Sequence, residues 1–159
     1  MSAALRHRRA SAARALAADA RRAQVTWEDL AAWPEWAALD ADQRDALAMR
    51  AGAWLHAGAL QRCIVGALLQ RAKGALGDSG FQRLMATPDD DATPLPEPAA
   101  FDDWLLTQGR EALLASVPSP VLRVVLREHH APRSLPPLPG LDSTRARRAV
   151  MEASREATR

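Results

Sequence analysis

The stretch from Asp40 to Met85 most narrows what this chain can fold into. Leu47, Ala51, Trp54 and Leu55 recur at helical spacing, and so do Leu60, Ile64, Ala67 and Leu68. Intervals of three and four residues place apolar side chains on one helix face. The segment therefore predicts a packed helical pair. One helix opens at Asp40-Ala41-Asp42-Gln43, which has the pattern of a capping box, and runs to about His56. The other runs from about Ala59 to Ala75. Gly58 marks a break and Gly77 a C-terminal cap, after which Asp78 or Ser79 opens a short helix carrying Phe81, Leu84 and Met85. Gly52, Gly58 and Gly66 are small enough to let helices approach closely.

The flanks extend the helical reading. Residues 3 to 23 have strong helix propensity but only a thin apolar stripe at Leu5, Ala12, Leu16 and Ala20, which predicts a partly frayed helix. Thr26 is positioned as an N-cap before Glu28 and Asp29. Pro34 then interrupts the chain. Residues 87–100 hold four prolines and four acids, a composition that forms neither helix nor central strand. Phe101, Trp104, Leu105, Ala112 and Leu113 define the next amphipathic helix. Ser119-Pro120 then reads as N-cap plus first-turn proline. The run VLRVVL that follows is β-branched enough to suit a strand, but the Ser-Pro start favours helix. A second proline-rich stretch runs from Ala131 to Leu141. Asp142 caps a last, basic helix with a weak stripe at Ala146, Ala149, Val150 and Ala153.

The expected fold is thus all-α: a compact bundle of about five to seven helices with Pro-rich connections and loosely packed basic terminal helices. Three parts are expected: 1–24, a basic N-terminal helix or tail; 25–130, a helical core containing the acidic loop 87–100; and 131–159, a Pro-rich segment with a basic C-terminal helix. A 159-residue chain buries roughly 70% of its unfolded surface, enough to fold without staples. Cys63 is the only cysteine, so no internal disulfide forms, and it reads as a small core residue that fits a reducing cytoplasm.

Chemistry is harder to find. His7, His56, His129 and His130 have no acid or cysteine at ligand spacing, so no metal or cofactor is expected. His129 and His130 read as surface histidines near a helix end, and His56 as a satisfied, partly buried one. The chain has no phosphate-binding glycine motif and no nucleophile elbow, and Asp89-Asp90-Asp91 in a proline-rich loop lacks a calcium loop's ligand pattern. An enzyme is not expected. Charge is segregated: six arginines and one acid in residues 1 to 22, six acids and no base in 87 to 103. Such segregation either steers partners or leaves the basic tails and the acidic loop merely solvated. Twenty arginines stand against one lysine, which reads as the codon bias of a GC-rich bacterium more than as selection for guanidinium chemistry.

Two binding classes remain. Arg6, Arg8, Arg9, Arg14, Arg21 and Arg22, with Arg145, Arg147 and Arg148, make basic segments of the kind that contact phosphates, which gives a small helical DNA- or RNA-binding regulator as one reading. Trp27, Trp33 and Trp36 give the other. They form either an aromatic clasp over the core edge or exposed anchors for a protein.

Residues Ala38-Leu39-Asp40-Ala41 leading into Leu47–His56, the run Leu60-Gln61-Arg62-Cys63-Ile64-Val65-Gly66-Ala67, and Leu76-Gly77-Asp78 followed by Phe81 together resemble the SctK family. Its members (the YscK, OrgA and Hrp-type counterparts) are cytosolic accessory subunits of bacterial type III secretion injectisomes. Gly109–Leu114 before Pro118 is compatible, so the resemblance spans roughly residues 30 to 126. It implies a non-enzymatic adaptor at the cytoplasmic face of the inner membrane. The partners would be the sorting-platform pod subunit and the cytoplasmic domain of the inner-membrane ring, with no small-molecule substrate. On this reading Trp33 and Trp36 are the candidate anchors, and Arg123 and Arg127 the candidate electrostatic contact.

Overall fold

The computed structural model describes residues 3–17, 24–130 and 141–157. Ala20, Arg21, Arg22 and the proline-rich residues 131–140, for which expectations were stated above, lie outside these. Among the described residues there are eight α-helices, two 3-10 turns and no strand. The helices are α1 (Ala3–Ala17), α2 (Trp27–Ala31), α3 (Ala41–Leu55), α4 (Ala57–Gln61), α5 (Gly66–Ala86), α6 (Phe101–Ala115), α7 (Pro120–His130) and α8 (Ser143–Ala157). The fold is all-α and compact.

Local chemistry starts these helices where the side chains dictate. Thr26 accepts from the Asp29 amide at 3.2 Å while Asp29 accepts from the Thr26 amide at 2.9 Å. Asp40 and Gln43 repeat the exchange at 2.8 and 3.4 Å. Both are reciprocal capping boxes, which satisfy backbone donors that a helix start leaves orphaned. The Ser119 hydroxyl accepts from Leu122 N, and Asp142 from Arg145 N. Gly77 adopts φ 73° and ψ 171°, a region essentially reserved for glycine, and bends α5 there.

The centre is the crossing of α3 with α6, and glycine makes it close. A Cβ on Gly52 would lie 2.2 Å from the Leu105 carbonyl oxygen, and one on Gly109 would lie 1.7 Å from that of Ala48. The obstructing atoms are backbone, so only glycine fits at either point. Asp45 and Arg110 clamp the same crossing with contacts of 2.8 to 3.2 Å. Phe101, Leu105, Leu60, Leu84, Leu122 and Leu126 fill the core around it.

Several expectations change here. The helix expected from Ala59 to Ala75 is two helices separated by a corner at Arg62–Val65. At the end of α4 the Gln61 side-chain amide donates to the carbonyls of Leu84 and Thr87 at 2.7 and 2.5 Å, tying it to the far end of α5. Leu60 and Leu68 are buried, whereas Ile64 and Ala67 are exposed. Gly58 faces the backbone of Asp89 and Asp91 rather than another helix, and Gly66 faces open space.

The basic ends are seated more firmly than thin stripes suggested. Helix α8 packs on both α3 and α6 and buries Ala146, Ala149 and Ala153. Helix α1 buries Ala12, Ala15 and Leu16, and its Ser11 hydroxyl and His7 ring reach the carbonyls of Ala37 and Ala38 at 2.8 Å. Cys63 is half-buried at the corner, against the core rather than in it.

Candidate functional site

Three places combine chemistry with access: a buried polar centre at His56, a groove between α1 and α2, and a groove beside the α4–α5 corner.

His56, the residue between α3 and α4, is 5% exposed. Its Nδ1 lies 2.9 Å from Asp91 Oδ2, and its Nε2 lies 3.1 Å from Gln108 Oε1 on α6. The Trp104 ring covers one face, with centroids 4.4 Å apart. Asp91 comes from the acidic proline-rich segment and is also buried. Its other oxygen accepts from the Thr93 hydroxyl at 2.7 Å and meets Arg145 of α8 at 2.9 Å. Arg145 also donates to the Leu55 carbonyl at 2.6 Å. Burial pushes the Asp91 carboxyl upward, but the Thr93, Arg145 and His56 hydrogen bonds outweigh it and hold the group well below the ordinary carboxylate range. A buried aspartate on a histidine Nδ1 is an arrangement that orients general bases. Here the opposite nitrogen meets an amide rather than a nucleophile. The cluster fastens four segments together: the α3–α4 joint, the acidic loop, α6 and α8.

Next to it lies a cleft of about 260 Å³ bordered by Asp89, Asp90, Asp142, Arg145, Arg148 and Glu152. Among the described residues no three of His, Cys, Asp and Glu converge as metal ligands would.

The candidate anchors Trp33 and Trp36 are both buried, at 3% and 5% exposure. Helix α1 covers the 3-10 turn that carries Trp36, and the His130 ring meets Trp36 edge-on at 5.9 Å. Their rings belong to the aromatic clasp over the core edge. The indole nitrogens of Trp33, Trp36 and Trp54 are buried with no hydrogen-bond partner among the described residues. Arg127 is held by the buried Glu111 in a two-pronged ion pair, 2.7 Å at each contact, that joins α7 to α6. Arg123 is half-buried, and its Nε meets no hydrogen-bond partner among the described residues. The structure therefore does not bring these four residues into one surface patch. His130, expected at the surface, is mostly covered. Burial, then the charges of Arg44 and His129, push it down to about 4.

The exposed tryptophan is Trp27, at 85%. It stands on a groove of about 810 Å³ between α1 and α2, whose floor is Ala12, Leu16, Leu30 and Trp33 and whose lip carries Arg8 and Arg9. The second groove, about 570 Å³, lies between the α4–α5 corner and the proline-rich segment. Ile64 projects there at 96% exposure. Composition flagged Trp27 only as one of a cluster of three. Nothing in the cluster marks it as the exposed one, because exposure depends on how the helices assemble. The pairing of His56 with Asp91 spans 35 residues and leaves no local signal.

No family model, curated protein or solved structure matches this chain.

Proposed function

We propose that this protein is a non-enzymatic helical adaptor, and that the assembly it serves is a bacterial type III secretion apparatus, where it links the sorting-platform pod to the inner-membrane ring. One observation supports the adaptor reading above the others. Trp27 stands almost fully exposed over an apolar groove with a basic lip, while the buried polar groups His56, Asp91 and Glu111 are bonded to one another or to arginine. Covering a tryptophan ring removes roughly 150–250 Å² from water, worth roughly 4–6 kcal/mol before ordering costs. A rigid exposed indole beside arginine is the composition of an interface hot spot.

The secretion-system half of the reading rests on the likeness of residues 30–126 to the SctK pattern. Attachment to the membrane in this reading runs through protein partners; no helix among the described residues is long and apolar enough to cross a membrane.

The alternative, a DNA- or RNA-binding regulator, draws on arginines of which Arg8 faces Glu35 at 3.6 Å and Arg145 is bound to Asp91 at 2.9 Å.

The test is co-elution of the purified chain with the pod subunit and the ring's cytoplasmic domain encoded in the same genome. Wild type is expected to form a complex that Trp27→Ala loses at unchanged melting temperature. Failure to bind either partner, or salt-sensitive retention on DNA instead, overturns the proposal.

A further inference from the structure

The corner Arg62–Val65 presents an apolar surface that the fold does nothing to cover. Ile64 is 96% exposed and Val65 44%. The corner is not a loose loop. Arg62 N donates to the Gly58 carbonyl, Cys63 N to Leu60, and Leu68 N and Leu69 N to Val65, at 3.0 to 3.3 Å. Ile64 is therefore held out on a rigid support, and its β-branched side chain has little rotamer freedom to lose on contact. Beside this knob lies the 570 Å³ groove, floored by Ala59, Leu68 and Leu95. Its two walls carry opposite charges: Arg62 on the corner and Glu97 on the proline-rich segment, both exposed. Neither enters an ion pair among the described residues.

We infer that this face binds a second copy of the same chain, the Ile64 knob of each entering the groove of the other. A two-fold interface places one patch against itself, so whatever a patch lacks it must also supply. This patch does both. It offers a protruding aliphatic and a hollow for one, and it offers a cation on one wall and an anion on the other. Two-fold pairing sets Arg62 of one copy against Glu97 of its mate, and the reverse, at the two ends of the contact. An unrelated partner would need to match knob, hollow and both charges; a second copy carries all four. The patch is small beside a permanent interface, so the dimer is reversible, with a dissociation constant roughly in the micromolar range. The inference does not depend on the adaptor reading, because it concerns the purified chain alone.

Sedimentation equilibrium from about 1 µM to 1 mM tests it. The weight-average mass is expected to rise from 17.2 kDa toward twice that value. Ile64→Asp should weaken association by about tenfold or more, since it sets a charge into the mate's apolar groove. Its fold should be unchanged by circular dichroism, because Ile64 makes no core contact to lose. Arg62→Glu should weaken the dimer several-fold, and Arg62→Glu with Glu97→Arg should restore it. Cys63, the only cysteine, lines the same groove, so a short bismaleimide should join two wild-type chains and fail on Ile64→Asp. A chain that stays at 17.2 kDa at 1 mM overturns the inference. So does a dimer that Ile64→Asp leaves intact, or a double charge reversal that restores nothing.

Discussion

The α3–α6 crossing and the α4–α5 corner are built from the same few residue types, and they do opposite things. At the crossing, Gly52 and Gly109 touch backbone on the facing helix, so no side chain fits. At the corner, Gly66 meets nothing within 4 Å and Ile64 stands in solvent. Glycine and aliphatic content therefore do not mark a packed seam by themselves. What separates the two regions is whether ion pairs hold a facing helix against them. The crossing has Asp45–Arg110, with Glu111–Arg127 one residue further along α6. The corner has Arg62 and Glu97 facing outward.

The largest expected effect breaks the closed side of that contrast. Gly109→Ala drives a methyl group into the Ala48 carbonyl, and helices can relieve this only by separating. The cost should be about 3 kcal/mol or more, the upper end for overpacking, measured by urea unfolding. A loss under 1 kcal/mol would mean the crossing is not the tight point it is described to be.

Next comes the asymmetry of the Glu111–Arg127 pair. Arg127→Met strands a carboxylate whose side chain is 5% exposed and should cost about 3 kcal/mol. Glu111→Leu leaves an arginine that can reach water and should cost less, about 1–2 kcal/mol. Equal losses would argue against the burial assigned to Glu111. If Arg127→Met abolished partner binding without any loss of stability, Arg127 would be a docking residue after all.

His130 gives a smaller, pH-dependent effect. Its folded-state pKa, about 4, lies below the ordinary 6.5, so the unfolded chain takes up this proton first. Stability should be full above about pH 6.5 and fall as pH drops toward 4, by about 1–2 kcal/mol once solvent screening of a half-covered ring is allowed for. Arg44, His129, Arg110 and Asp45 surround or neighbour the ring and set the size of the step. His130→Phe should flatten the slope between pH 6.5 and 4 in thermal melts. Asp91 acts in a lower window: its depressed pKa stabilises the fold above the ordinary carboxylate range, and that stability is lost on further acidification.

The smallest effect sharpens the open side. Gly66→Ala has room for its methyl group and should raise stability by about 0.5–1 kcal/mol in the same urea assay. A destabilisation comparable to Gly109→Ala would erase the distinction between the two regions.

Much of the local structure was legible in the sequence. Thr26 with Asp29, Asp40 with Gln43, Ser119-Pro120 and Asp142 each act within three or four residues, and each starts a helix where expected; Gly77, expected to end one, kinks α5 instead. What was not legible acts at a distance. The amide of Gln61 ties the end of α4 to carbonyls 23 and 26 residues away. Asp91, read as part of a solvated acidic loop, is drawn inward by His56 and Arg145, whose positions only the assembled helices define. Trp33 and Trp27 lie in one short tryptophan cluster, and only the assembled fold decides which is covered. Exposed sites are the hardest to read, because exposure is what remains after every other element has found its place.

The uneven fate of the five tryptophans has an optical consequence. The chain contains no tyrosine, so indoles alone dominate its ultraviolet emission. Trp33, Trp36 and Trp54 are buried and Trp104 is half-buried, whereas Trp27 is bathed in water. Acrylamide or iodide would therefore extinguish Trp27 first and leave a blue-shifted remainder. The protein carries its own dye at the α1–α2 groove, and anything settling there would announce itself as a shielded, blue-moving fluorescence without a label being added.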